Sequence, residues 1–344
     1  MKKEEALQST NTGQVVTSLG GSRIQDFNRA KARRLSAKIA RRRISPPQRQ
    51  ALVPRIRQRL ALPGTAAPLH AKGFGEVTVG GSTVEKPPLE TEPETVVPMH
   101  VVLSKSALAC RPTVVYLRNR DATRDGPEIF ENLAQAGRIA VVADVRGFGM
   151  TMSRKRVPDT RIGYFHPGDS MEADFTYASF LLGRPLLGMR VWDALQFVAY
   201  ARSRPDVDPR QVSLVGRGWA GLVAVFAGVL DPRVSAVADE PIPVSHADMA
   251  MAEADVHPVS LMPPAVLEDF DLGDVMGAIR PRPLLVLDPT DSNNRRMTAR
   301  EASRAFAYVL ETYHGAYVGH ALKVLTNPYE PDIEKELESW LVSP

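Results

Sequence analysis

Residues 212–221 read VSLVGRGWAG and run on into LVAVFAGVL at 222–230. An apolar run stops at Gly216, the chain turns, and it leaves through small residues into a second apolar stretch. That order spells strand, tight turn and buried helix. The centre of the turn is Gly218. A sharp strand-to-helix turn strains its central residue, at a cost of roughly 1–3 kcal/mol for a residue with a side chain. Glycine tolerates positive φ and relieves that strain. The letter at 218 therefore favours the shape of the turn and brings no functional group to it.

Working outward, the same alphabet recurs. Short, almost wholly apolar runs stand at TVVYL (113–117), IAVVADV (139–145), VSAVAD (234–239) and LLVLD (284–288), with ALKVLTN (321–327) as a last strand. Helical stretches separate them. Strands apolar on both faces that alternate with helices predict an α/β fold, with a mostly parallel central sheet flanked by helices. RVWDALQFVAYARS (190–203) repeats Val191, Leu195, Val198 and Arg202 at helical spacing. Thr298 and Glu301 form a capping box for AREASRAFAYVLETY (299–313), which Gly315 ends, and DIEKELESWL (332–341) predicts a C-terminal helix. GEVTVGG (75–81), TVEKPPLETEP (83–93) and ETVVPMHVVLS (94–104) read as antiparallel strands.

The chain divides by composition. Residues 1–20 read as a flexible lead-in, 21–72 as a basic helical extension packing on the core, and 73–344 as the main domain. In the extension, Ser22 and Gln25 suggest a capping box for a helix over 24–43 with an apolar stripe of Phe27, Leu35 and Ile39. A second helical segment carries Leu52, Ile56 and Leu60 on one face, and Pro54 predicts a break or kink in it. The net charge is +4, yet residues 28–74 hold thirteen Lys or Arg and no acid, so the remainder carries −9. Such asymmetry can mark nucleic-acid binding through Arg33, Arg34, Arg41, Arg42 and Arg43. No RNA-binding aromatic motif, zinc finger or basic zipper accompanies it, so a cationic layer lying on an acidic domain is the expectation.

No apolar run reaches the ~20 residues of a membrane span. The opening MKKEEALQSTNTGQ follows two lysines with two glutamates and has no apolar stretch, so a secretory signal is not expected. The default location is the cytoplasm, unless the chain is a piece of a longer secreted protein. Its single cysteine, Cys110, excludes an internal disulfide and a thiolate cluster and reads as a small packing residue. P-loop, G-x-G-x-x-G and H-E-x-x-H motifs are absent, and no metal or cofactor is expected.

Several longer phrases narrow the fold: TGQVVTSLGG (12–21), ETEPETVVP (90–98), ADVRGFGMT (143–151), RPLLGMRVWDAL (184–195) and VDPRQVSLVGRGWAGLVAVFAGVLDPRV (207–234). Together they resemble the acetyl xylan esterase-like hydrolases of bacterial genomes, from about residue 12 to 342. The resemblance implies an α/β-hydrolase fold. Some members of that family carry two hydrolase domains in tandem, and this chain looks like the second, degenerate one with its linker.

Such hydrolases need a serine, a histidine and a carboxylate at the carboxyl ends of the parallel strands. The serine position corresponds to Gly218, as either a natural loss or an engineered knockout would leave it. The acid position corresponds to Asp291 in LLVLDPTDS, although Asp288 and Asp291 are equally suited to capping the turn at Pro289. The histidine position falls in TNPYEP (326–331), which contains no histidine. His320 precedes the last strand. Seven residues at ~3.3 Å each put its start roughly 20 Å from the active-site end. A proton shuttle works within about 3 Å or through one water. Ser245 and His246 follow a strand at the correct end, but adjacent residues seldom orient as nucleophile and base. His166 and His257 lie in loops without an evident partner. RGFGMT (146–151) reads as backbone for the rim of the site.

In this fold the backbone N–H after the nucleophile, here that of Trp219, forms an oxyanion hole with an N–H from the loop after TVVYL, near Arg118 and Asn119. Arg217 could add charge there and Trp219 could stack on a sugar; equally, both side chains could fill the space left by a lost site. The expectation is a pseudoenzyme, acting as a scaffold or ligand-binding domain. Its partners would be an active esterase domain or a second copy, and its ligand a carbohydrate or small carboxylate. The alternative is a carboxylic-ester hydrolase, a carbohydrate deacetylase with a displaced catalytic apparatus.

Overall fold

The computed structural model describes residues 8–43, 49–64, 69–71, 73, 75–104, 109–120, 128–152, 170–253, 256–326 and 330–342. The strands are β1 (His70–Ala71), β2 (Glu76–Val79), β3 (Ser82–Glu85), β4 (Pro88–Glu92), β5 (Thr95–Ser104), β6 (Arg111–Leu117), β7 (Ile139–Ala143), β8 (Val207–Arg217), β9 (Val237–Glu240), β10 (Leu284–Leu287) and β11 (Leu322–Leu325). The helices are α1 (Val15–Leu19), α2 (Ile24–Arg42), α3 (Arg49–Arg59), α4 (Glu128–Gln135), α5 (Ser170–Leu181), α6 (Leu186–Ser203), α7 (Trp219–Leu230), α8 (His246–Met251), α9 (Leu272–Gly277), α10 (Ala299–Ala305), α11 (Ala307–Gly315) and α12 (Glu330–Val342).

All eleven strands among the described residues join one sheet, in the order β1-β4-β5-β7-β6-β8-β9-β10-β11, with the β2–β3 hairpin added through β3 to β5. The strands upstream of β6 pair antiparallel, and those from β6 to β11 pair parallel. Every residue of β7 and β10 is buried, as continuous apolar runs require in a sheet covered on both faces. One face packs against α6, α7, α9 and α11 with α2 and α3 beyond them; α4 and α12 cover the other. The parallel strands therefore end together, and the loops after them share one edge of the sheet. α6 closely meets the turn that follows α3, because a Cβ on Gly188 would run into the main chain of Leu60.

The basic extension lies on acidic groups. Arg43 pairs with Asp274 at 2.9 Å, Arg59 with Asp269 at 2.6 Å and Glu268 at 3.2 Å, and Arg29 with Glu253 at 3.1 Å. Leu52, Ile56 and Leu60 are buried as their spacing predicts. Several local expectations change. The cap of α2 is Arg23, whose N–H donates to Asp26 at 2.8 Å, so Asp26 takes the role expected of Gln25. Phe27 is 66% exposed, and Ala32 takes its place beside Ile39 in the buried stripe. α3 continues through Pro54. The stretch after Thr298 is split at Phe306 into α10 and α11. Cys110 is exposed.

α5 is inverted relative to an ordinary surface helix. Glu172, Thr176 and Ser179 face inward, while Phe175, Tyr177 and Leu181 are exposed. The inward pull is electrostatic: Glu172 makes two bonds, at 2.7 and 2.8 Å, to the fully buried Arg190.

Candidate functional site

β8 delivers the chain to Gly218, which has φ 59° and ψ −130°, and α7 starts at the next residue. This is the positive-φ conformation that the turn was expected to demand. The Gly218 N–H donates to the carbonyl of Glu240 on β9, which fixes the turn against the neighbouring strand. A Cβ on Gly216 would run into the carbonyl of Ala220, and one on Gly221 would lie 2.6 Å from Ile242 Cγ2. The small residues flanking the turn thus allow strand and helix to pack closely.

The loop after β6 places Asn119 over Gly218. A Cβ on Gly218 would lie 2.6 Å from Asn119 Nδ2 and closer still to Cγ and Oδ1. The Asn119 carboxamide therefore occupies the volume of the missing side chain. Its Oδ1 accepts the N–H of Arg120 at 2.8 Å and that of Trp219 at 3.4 Å. The Arg118 N–H, by contrast, donates to the Ala143 carbonyl at 3.0 Å.

The charged and aromatic side chains around this point are engaged. Arg118 grips Asp144 with two bonds, at 2.8 and 2.5 Å. Arg217 is buried beside Glu240 at 3.6 Å. Trp219 is half-buried, with its ring 6.3 Å from that of Phe148 and the Arg120 guanidinium 5.0 Å above it. On the rim loop after β7, Arg146 bonds Asp193, and Arg190 donates to the Arg146 carbonyl at 3.0 Å and stacks on Phe148 at 4.2 Å. Burial alone would raise the Glu172 carboxyl, but the hydrogen bonds and charge of Arg190 outweigh it and hold the group below its usual range.

Past β10, Asp291 serves its own loop. Its carboxylate accepts the N–H groups of Asn293 and Arg295 at 2.9 Å each and Arg295 Nε at 3.1 Å. Asp288 has φ 49°, is buried and pairs with Arg296 at 3.3 Å. Asp291 thus caps the loop that follows it, and Asp288 is held by an ion pair across that loop.

Ser245 caps α8: its Oγ accepts the Asp248 N–H at 3.0 Å and donates to Asp271 at 2.8 Å. The His246 ring is buried, with Nε2 3.0 Å from the Leu261 carbonyl; burial pushes its pKa down, and the nearby Asp271 charge opposes the shift. Ser245 and His246 are therefore not paired with each other. His320 lies in a short 3-10 turn leading into β11, at the amino end of that strand. His257 does have a partner, the Asp291 carbonyl, 3.1 Å from its Nε2. His166 and residues 327–329 of TNPYEP fall outside the described residues.

One residue escaped the sequence reading. Asp239, on β9, is buried against the first turn of α7: a Cβ on Gly221 would stand 3.2 Å from its own Cβ. Neither carboxyl oxygen has a hydrogen-bond partner among the described residues. Burial pushes this carboxyl well above the usual range, and the charge of Glu240 adds to the effect. The available signal was an acid closing an otherwise apolar run, VSAVAD. Among the described residues, no three His, Cys, Asp or Glu side chains converge as metal ligands would.

A parallel sheet in this order, with the tight turn between β8 and α7 and the flanking loops at one edge, is an α/β-hydrolase fold. Its structural neighbours are carboxylic-ester hydrolases. The chain is similar to a "putative acetyl xylan esterase" from Bacteroides fragilis, with 14% identity, 83% of this chain and 76% of that one covered, and a TM-score of 0.66. It is also similar to acetyl xylan esterase 1 from Thermoanaerobacterium (15% identity, 87% and 96% covered, TM-score 0.52). A glucuronoyl esterase from Solibacter usitatus gives 14% identity, 85% and 92% covered, and a TM-score of 0.54. Among curated proteins, "Putative hydrolase YtaP" from Bacillus subtilis is 28% identical over 117 residues, which span 34% of this chain and 39% of that protein's length. No protein-family model matches the chain. No helix among the described residues is long and apolar enough to cross a membrane.

Proposed function

We propose that this protein is a pseudo-esterase, an α/β-hydrolase-fold scaffold or ligand-binding domain without ester-hydrolase activity. The observation that carries the proposal is Gly218, which holds the backbone shape of a nucleophile turn with nothing to attack with. Support comes from the histidines: His246 and His257 spend Nε2 on backbone carbonyls, and TNPYEP contains none. With nucleophile and base both missing, serine hydrolases retain at most the ~10³–10⁴-fold acceleration over water that binding and the oxyanion hole provide, and here Asn119 Oδ1 already takes the N–H groups of Arg120 and Trp219. The likeness to acetyl xylan esterases suggests descent from a carbohydrate deacetylase, with an active esterase domain or a second copy as partner. The ion pairs of Arg29, Arg43 and Arg59 favour a docking role for the basic extension over nucleic-acid binding.

The competing reading, a carboxylic-ester hydrolase with displaced apparatus, draws on one observation: His257 lies against the Asp291 loop. It would have to activate water directly. Purified protein should neither turn over p-nitrophenyl acetate or acetylated xylan above the buffer rate nor label with a fluorophosphonate probe. Turnover that His257→Ala or Asp291→Asn abolishes would overturn the pseudo-esterase proposal.

A further inference from the structure

The two backbone donors at the turn are not waiting for a substrate. Their directions converge on one acceptor, Asn119 Oδ1, at 2.8 Å from Arg120 N and 3.4 Å from Trp219 N. In an active hydrolase of this fold, that pair of N–H groups binds the carbonyl oxygen of the ester as it becomes an oxyanion. An amide oxygen carries partial negative charge and accepts two hydrogen bonds, so it can stand in for a bound carbonyl. We propose that Asn119 is the resident ligand of this hole, and that the hole accepts a small carboxylate only when the Asn119 side chain is removed. The proposal deepens the pseudo-esterase reading and rests on it, because the carboxamide needs the space that Gly218 leaves open.

Two independent features support this. The first is steric: the carboxamide overlaps the position of a Cβ on Gly218, so Gly218 and Asn119 form a coupled pair. The second is electrostatic. The Trp219 N–H opens α7, so it has no carbonyl within its own helix and stands at the positive end of the helix dipole. Leaving such a donor without an acceptor is unfavourable, and Asn119 supplies one. The closed hole also bears on ligand class. A small carboxylate would have to compete with an acceptor already in place, so a ligand of the intact protein would bind elsewhere.

Amide hydrogen exchange of Trp219 and Arg120 tests the proposal in the full-length protein. Asn119→Gly should speed exchange of both at least tenfold, whereas Asn119→Asp, which keeps an acceptor oxygen, should not. Millimolar acetate should restore protection saturably in the glycine variant and leave the wild type unchanged. Gly218→Ala should lower Tm by at least twice as much in wild type as in the Asn119→Gly background. Exchange unaffected by Asn119→Gly, acetate acting equally on both proteins, or Tm losses that simply add would each overturn the proposal. Ester turnover by the wild type with these amide results intact would instead count against the pseudo-esterase reading alone.

Discussion

The rim and the turn stand at the same end of the sheet and handle polarity in opposite ways. On the rim, charge is kept and paired: Arg190 with Glu172, Arg146 with Asp193 and Arg118 with Asp144, each acid held by two side-chain bonds from its arginine. At the turn, the Arg217–Glu240 pair stands to one side, and the groups that meet the backbone donors carry no charge. Gly218 contributes none, Asn119 meets the donors with a neutral amide, and Asp239 behind them is favoured in its protonated form by burial. A working hydrolase holds an acid or base poised to give or take a proton beside its nucleophile. Here the rim has committed its carboxylates to structure, and the turn has a backbone satisfied from within. The difference supports the scaffold role proposed above.

The largest expected effect breaks the rim. Arg190→Ala leaves Glu172 buried without its cation, and removing one partner of a buried pair typically costs about 3–5 kcal/mol. Urea unfolding should show a loss of that order. The double variant Arg190→Met with Glu172→Gln should recover most of it, because no uncompensated charge remains. A loss under 1 kcal/mol in the single variant would mean that the rim pairs are incidental to stability.

The next effect separates the two regions by the sign of their pH dependence. Glu172 has a folded pKa below its ordinary 4.5, so its contribution is fully present above about pH 4.5 and is lost as pH falls through the folded value. Asp239 has a folded pKa raised above its ordinary 3.8. Its carboxyl therefore imposes no penalty below about pH 3.8, and stability declines as pH rises toward the folded value. In stability measured from pH 3 to 8, Glu172→Gln should flatten the acid limb and Asp239→Asn the opposing slope. If Asp239→Asn leaves the curve unchanged, Asp239 does not stay protonated in the folded protein.

The two regions were also unequally legible in the sequence. The parallel strands and the β8–α7 turn were visible because apolar runs and glycine act locally: VSLVG must be strand, and Gly218 must punctuate it. Thr298 and Glu301 were likewise readable, since a capping box closes within one turn; Glu301 N donates to Thr298 Oγ1 at 3.4 Å. The occupant of the hole was not readable, because Asn119 and Gly218 are 99 residues apart and meet only when β6 and β8 pair. The inversion of α5 was hidden for the same reason. The inward face of Glu172, Thr176 and Ser179 makes sense only beside Arg190. Phe27 misled because a helical stripe counts apolar letters without showing where the neighbouring surface ends.

The smallest effect concerns the outermost ion pair of the basic extension, which shares the rim's chemistry without its burial. Arg29 reaches Glu253 at 3.1 Å, but the glutamate side chain is 75% exposed. Exposed pairs contribute about 0.2–1 kcal/mol and are screened by salt. Glu253→Gln should thus lower stability by no more than about 1 kcal/mol at low ionic strength, with the difference shrinking as salt approaches 0.5 M. The Arg190→Ala loss should persist at that salt, because ions do not reach a fully buried guanidinium. Equal salt sensitivity in the two variants would show that burial does not distinguish the rim from the extension, and the contrast between a rigid rim and a surface layer would fail.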